Sequence, residues 1–204
     1  GNGNNILIED VIFNNNSASD GGAIQFYAGS SESYNTVDIV RCNFTNNRDF
    51  FDDDWGGSAI AINQGHDVDI TDSIFDSNLC ADNGAVLLDY CDDVRFTGVN
   101  FTNNNANKSG GAVYFKNPRV GDNGNANFTD CLFENNHASL KLNFDRDGMG
   151  GAIYLAGNKF TLTNNTFKDN GALGALCSGG AIYSQADNVN IIESNEANEK
   201  EDII

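Results

Sequence analysis

The chain is short of most residues that stiffen, staple or anchor a protein. Its 204 residues include one Pro, one Met and one Trp. Basic residues are scarce, with 11 Lys and Arg against 29 Asp and Glu, for a formal charge of −18. A nucleic-acid backbone is held by a basic patch, so this balance argues against nucleic acid as a partner. It equally gives no attraction to an anionic membrane surface. No apolar run approaches the roughly 18 residues of a membrane span, so no membrane insertion is expected. The chain opens "GNGNNILIED", without Met or a leader, and reads as a processed protein or a segment of a longer one. The five cysteines, Cys42, Cys80, Cys91, Cys131 and Cys177, are odd in number and irregularly spaced. They make neither a metal signature nor a complete disulfide framework.

What is abundant is Asn, about one residue in six, and two recurring phrases. The first is a glycine phrase: GGAIQF at 21, GSAIAI at 57, NGAVLL at 83, GGAVYF at 110, GGAIYL at 150 and GGAIYS at 179. The second is FxxN, pairing Phe13, Phe44, Phe75, Phe101, Phe133 and Phe167 with Asn16, Asn47, Asn78, Asn104, Asn136 and Asn170. Seven and five residues before each Phe stand apolar pairs: Ile6/Ile8, Val37/Ile39, Val68/Ile70, Val94/Phe96, Ala126/Phe128 and Phe160/Leu162. Apolar residues at every second position mark half-buried strands. Successive units measure 31, 31, 26, 32, 34 and 29 residues, and all the variation falls between the phrases.

A period near 30 residues with short strands and no helical pattern denotes a solenoid, in which each unit buries its apolar face only against its neighbours. The expected fold is all-β, a single-stranded parallel β-helix of six to seven turns forming one domain over 1–204. Its turns would run 6–36, 37–67, 68–93, 94–125, 126–159 and 160–188, with a partial turn at 189–204. Three strands per turn are expected, each pairing with its equivalent about 4.8 Å away. Gly would supply positive φ or room at a corner, with Asn83 replacing one such Gly because Asn tolerates that conformation next best. Ala would be fixed where a corner admits only a methyl. The Asn column would form an internal ladder of stacked amides.

The alternation of GGA[I/V] with FxxN resembles the repeats of the chlamydial polymorphic membrane proteins, shared by adhesin-like surface proteins of other microbes and algae. The likeness covers residues 6–188. It implies a right-handed β-helix, exported to the cell surface and used for adhesion or as structural material. It implies no catalytic residues. Those bacterial proteins are autotransporter passengers, and their C-terminal membrane barrel has no counterpart in this sequence.

Several residues are candidates for function, each beside a plainer reading. Asn15, Asn43, Asn100, Asn107, Asn127 and Asn164 begin N-x-[S/T] sequons, so N-linked glycans are expected if a eukaryote secretes the chain; otherwise they are surface Asn. Tyr114, Tyr154 and Tyr183 fall in one outward column, either a platform for sugar rings or simple cross-strand pairing. Phe50, Phe51 and Trp55 form an aromatic loop. Asn143, Asp145 and Asp147 precede Gly148 at the spacing that opens a calcium loop, but Tyr154 stands where the bidentate acid belongs, which favours solvated charge. Asp38, Asp69 and Arg95 should stack on adjacent turns, as should Asp10, Arg41 and Asp72. These columns could hold a carbohydrate-cleaving site or merely alternate in charge. His66 and His137 have no partner at diagnostic spacing. Cys42 and Cys131 share a column three turns apart, too far to bridge, whereas Cys80 and Cys91 flank one strand and are the expected disulfide.

The function that follows is an extracellular structural or adhesive surface module and not an enzyme, glycosylated, and a subunit of a head-to-tail filament. Its partners would be copies of itself end to end or the rest of a parent chain. The alternatives are a carbohydrate-binding module on the Tyr column or on the aromatic loop of Phe50, Phe51 and Trp55 and, less favoured, a polysaccharide lyase or hydrolase.

Overall fold

A computed structural model describes residues 5–27, 36–50, 56–65, 67–117, 124–138, 148–174, 177–186, 188–192 and 196–197. Among them every regular element is a β-strand, and the strands build four parallel sheets of seven, seven, six and six members. The first sheet holds the five-residue strands Asn5–Glu9, Thr36–Val40, Asp67–Thr71, Asp93–Thr97, Asn125–Thr129, Lys159–Thr163 and Asn188–Ile192. The second runs from Ile12–Asn14 to Glu196–Ala197, the third from Ser17–Ala18 to Gly171–Ala172, and the fourth from Ile24–Tyr27 to Ile182–Ser184. Every strand pairs with the equivalent strands one turn away, which makes the molecule a parallel β-helix.

The register is the one that the sequence columns require. Ile6, Val37, Val68, Val94, Ala126, Phe160 and Val189 pair in succession, as do Ile8 through Ile191 two residues on. One correction concerns the cross-section, which has four strands per turn rather than three. The additional strand, such as Asn105–Ala106, is only two residues long and too short to show a period.

Alternation sends each column either into the core or out to solvent. Phe44, Phe75, Phe101 and Phe133 are wholly buried, and their rings stack in sequence at 4.7–5.0 Å. Beside them the Asn column forms the expected ladder. Asn104 receives Asn78 N–H and Nδ2 on its Oδ1 at 3.1 and 2.9 Å, and its Nδ2 donates to Asn136 Oδ1 and to the Phe75 carbonyl. The same pattern runs from Asn16 through Asn170 and, from Asn47 onward, satisfies the polar groups of a buried corner.

Asn also serves a second purpose. Residues at three corners take left-handed φ: Asp10, Arg41, Asp72, Asp130 and Asn164 after the first sheet, Asn15, Asn46, Ser77, Asn103, Asn135 and Asp169 after the second, and Gln64 and Tyr90 after the fourth. Asn and Asp tolerate this region better than other residues with a Cβ.

The glycine phrase uses its two glycines differently. Gly110 has φ 59°, while a Cβ on Gly111 would come within 2.3 Å of the Gly151 carbonyl oxygen and 2.5 Å of that of His137. The first glycine turns the chain, and the second lets two backbones touch. In the shortened third unit the left-handed residue is Gly84 (φ 67°), not Asn83 as expected. Asn83 instead accepts a hydrogen bond from Ser109 N–H at 3.1 Å. The following Ala is fully buried at positions 59, 85, 112, 152 and 181.

Candidate functional site

The tyrosine column is the most ordered of the expected features. Tyr114 and Tyr154 stack at 4.6 Å and 10°, and Tyr154 and Tyr183 at 5.5 Å and 20°. All three are half-buried. Stacking commits the ring faces to one another, and what remains toward solvent is a row of edges and hydroxyls. Gln185 ties the row together, accepting from Tyr154 OH at 3.3 Å and donating to Tyr183 OH at 2.9 Å. Burial, and then the neighbouring Tyr183, raises the Tyr154 hydroxyl above its ordinary value. Leu87, in the same outward column, is buried. Phe50 is exposed, whereas Phe51, Trp55 and His66 lie outside the described residues.

None of the six sequon asparagines is buried. Asn15, Asn100 and Asn164 are exposed, and Asn43, Asn107 and Asn127 are half-buried. They occupy two corners, the first and second sheets and the segment after the third sheet, so they converge on no single face. Asn43 and Asn127 flank buried Phe44 and Phe128, as alternation demands. Two are engaged locally: Thr45 hydroxyl donates to Asn43 Oδ1, and Asn164 Nδ2 donates to Asp130.

Each carboxylate column carries one arginine with its ion pairs. Asp38, Asp69 and Arg95 are in register, and Arg95 bonds Asp69 at 2.9 Å and approaches Asp67 at 3.7 Å. Arg41 bonds Asp10 at 2.8 Å and Glu9 at 2.6 Å, which holds the Asp10 carboxyl below its ordinary value. His137 sits half-buried, with Nδ1 3.2 Å from the Asn135 carbonyl. The calcium expectation, Asn143, Asp145 and Asp147, lies outside the described residues. Among the described residues no group of three or more His, Cys, Asp and Glu could hold a metal ion.

The expected Cys80–Cys91 disulfide is not formed in the structure, and both side chains are buried. They face different corners. Cys91 Sγ packs beside Gly65, whereas Cys80 Sγ donates to Asp49 Oδ2 at 3.2 Å and lies 3.3 Å from the Gly56 carbonyl. Cys42 and Cys131 are free and buried, and burial pushes the Cys131 thiol up to about 11.

Sequence reasoning missed one cluster. Asp49 and Asp82 are buried, with 1% and 0% exposure, and Asp82 pairs with Lys108, whose side chain is 14% exposed. A signal existed, because the column two residues past each ladder Asn reads Ala18, Asp49, Cys80, Ala106, Ala138, Ala172. An acid among alanines on an inward column is the anomaly.

By its stacked equivalent strands the protein is a parallel β-helical solenoid of the kind that presents flat, repetitive faces. Residues 10–27, 98–116 and 130–156 match the model of the Chlamydia polymorphic membrane protein repeat. Together these stretches span just under a third of the chain, and each contains a glycine or FxxN phrase of the first, fourth or fifth unit. No curated protein and no solved structure matches the chain.

Proposed function

We propose that this chain is a cell-surface module, structural and adhesive in role and without catalysis of its own. The carrying observation is the match to the surface-protein repeat at three stretches that stack in register as turns of one solenoid. Three features accord with this reading. The ion pairs and the charge of −18 suit a solvated exterior. The Tyr row supplies a semi-polar edge for a partner, with carbohydrate as one class of ligand. The six accessible sequons are positions for N-linked glycans in a host that makes them. Axial assembly belongs to the same proposal: Ile6, Ile8, Phe13 and Phe26 on the first turn are only partly buried, and the rung they form accepts a further rung from a parent chain or another copy.

The test is adhesion. Beads carrying the purified chain are expected to bind cultured cells saturably, with soluble chain competing. Failure to bind any cell type or polysaccharide above uncoated beads would sink the adhesive role.

A further inference from the structure

The corner holding Asp49, Cys80, Asp82 and Lys108 is the strongest chemical anomaly in the molecule. Lys108 lies on the turn after Asp82, and its backbone N–H donates to the Asp82 carbonyl at 2.9 Å. Its Nζ contacts Asp82 Oδ1 where the acid is wholly buried. With Asp82 wholly buried and the Lys108 side chain only 14% exposed, the pair has lost most of its hydration, which disfavours the two charged forms relative to the neutral amine and carboxylic acid. A second buried carboxyl stands close by. Asp49 Oδ2 accepts from Cys80 Sγ, and Cys80 Sγ in turn accepts Asp82 N–H at 3.3 Å. The Asp49 carboxylate fills the space at Gly56, where a Cβ would come within 2.1 Å of Oδ2. The corner therefore brings together an amine, a buried carboxyl in contact with it and a second buried acid.

We propose that Lys108 and Asp82 join in an intramolecular isopeptide bond, a covalent staple between the third and fourth turns. The neutral Lys108 Nζ attacks Cγ of the protonated Asp82 carboxyl. The Nζ–Cγ bond forms and the Cγ–OH bond breaks. The hydroxyl leaves as water, taking a proton from Nζ, and one amine and one acid become one amide. No oxidant, metal or nucleotide is consumed. Asp49, which accepts from the Cys80 thiol that caps the Asp82 backbone N–H, is the positioning acid that fixes this corner around the reacting pair. Such an amide resists unzipping of the solenoid when the rod is pulled, and it persists in denaturant where an ion pair does not.

The test is the intact mass of the 204-residue chain after denaturation. The expected value lies one water below the mass calculated from the sequence, and digestion should yield a branched peptide linking Lys108 to Asp82 with no tryptic cleavage after Lys108. Lys108→Arg should restore the full mass. Asp82→Asn should converge on the wild-type final mass, because loss of ammonia from the amide leaves the same product. Asp49→Asn should leave a large uncrosslinked fraction. A wild-type chain at full mass, cleaved normally after Lys108, overturns the proposal, and that measurement decides even if a variant fails to fold.

Discussion

Asn104 shows what a single residue contributes to this fold. Its side chain makes four hydrogen bonds inside a corner with no exposure. Asn104→Ala would orphan the Asn78 N–H, costing about 1–3 kcal/mol when buried, and would take one hydrogen bond each from the Phe75 carbonyl and the neighbouring ladder amides. The expected loss is about 3 kcal/mol, read from urea unfolding of the variant beside wild type. A loss under about 1 kcal/mol would mean that the ladder adds little. Asp76 carries a pH-dependent counterpart. Burial raises its carboxyl, but hydrogen bonds from Thr102, Asn103 and Ser77 outweigh that and leave it below the ordinary 3.8. A group whose folded value is depressed stabilises the protein above its unfolded value, and this is lost as pH falls through the folded value. Thr102→Val should therefore lower Tm near neutrality, and the gap from wild type should narrow below about pH 4. A gap that stays constant with pH would remove Asp76 from the account.

At the scale of the element, the glycine phrase is the tightest constraint. Gly111→Ala would drive a Cβ into the backbone carbonyls of Gly151 and His137, and no side-chain rotation relieves that. A loss of about 3 kcal/mol or more is expected, as for other backbone clashes in a core. Chemical denaturation measures it, and Ser17→Ala on an exposed strand position is the control that should leave stability within about 0.5 kcal/mol. The Phe column is the second element-level support. Phe101→Ala removes a ring stacked on both sides and should cost about 3–5 kcal/mol. Both constraints were legible beforehand, since the Gly–Ala and FxxN columns are the most regular features of the sequence. The two-residue third sheet was not, because a strand that short has no alternation to read.

The whole molecule behaves as a stack whose units touch only their neighbours, so its stability is close to a sum over turns and interfaces. Deleting residues 37–67 removes one complete turn and sets Val68, Ile70, Phe75 and Asn78 where Val37, Ile39, Phe44 and Asn47 had been. The shortened chain should keep its β-type circular dichroism and unfold cooperatively at somewhat lower denaturant. A deletion of half that length should abolish folding, because every later column would be thrown out of register. Loss of structure in both deletions would refute the modular reading.

The sequence by itself determined the solenoid, its period, its strand register and the amide ladder. A parallel β-helix stacks like on like, so each column is printed along the chain at the period of the turn. Tertiary structure alone decided three matters. Four sheets form because the corner geometry inserts a strand too short to show a pattern. Cys80 and Cys91 stay apart because neighbours in sequence can face different corners. Asp49, Cys80, Asp82 and Lys108 meet because the turns superimpose residues 26 to 31 positions apart, where a departure from the repeat carries no label of its partner.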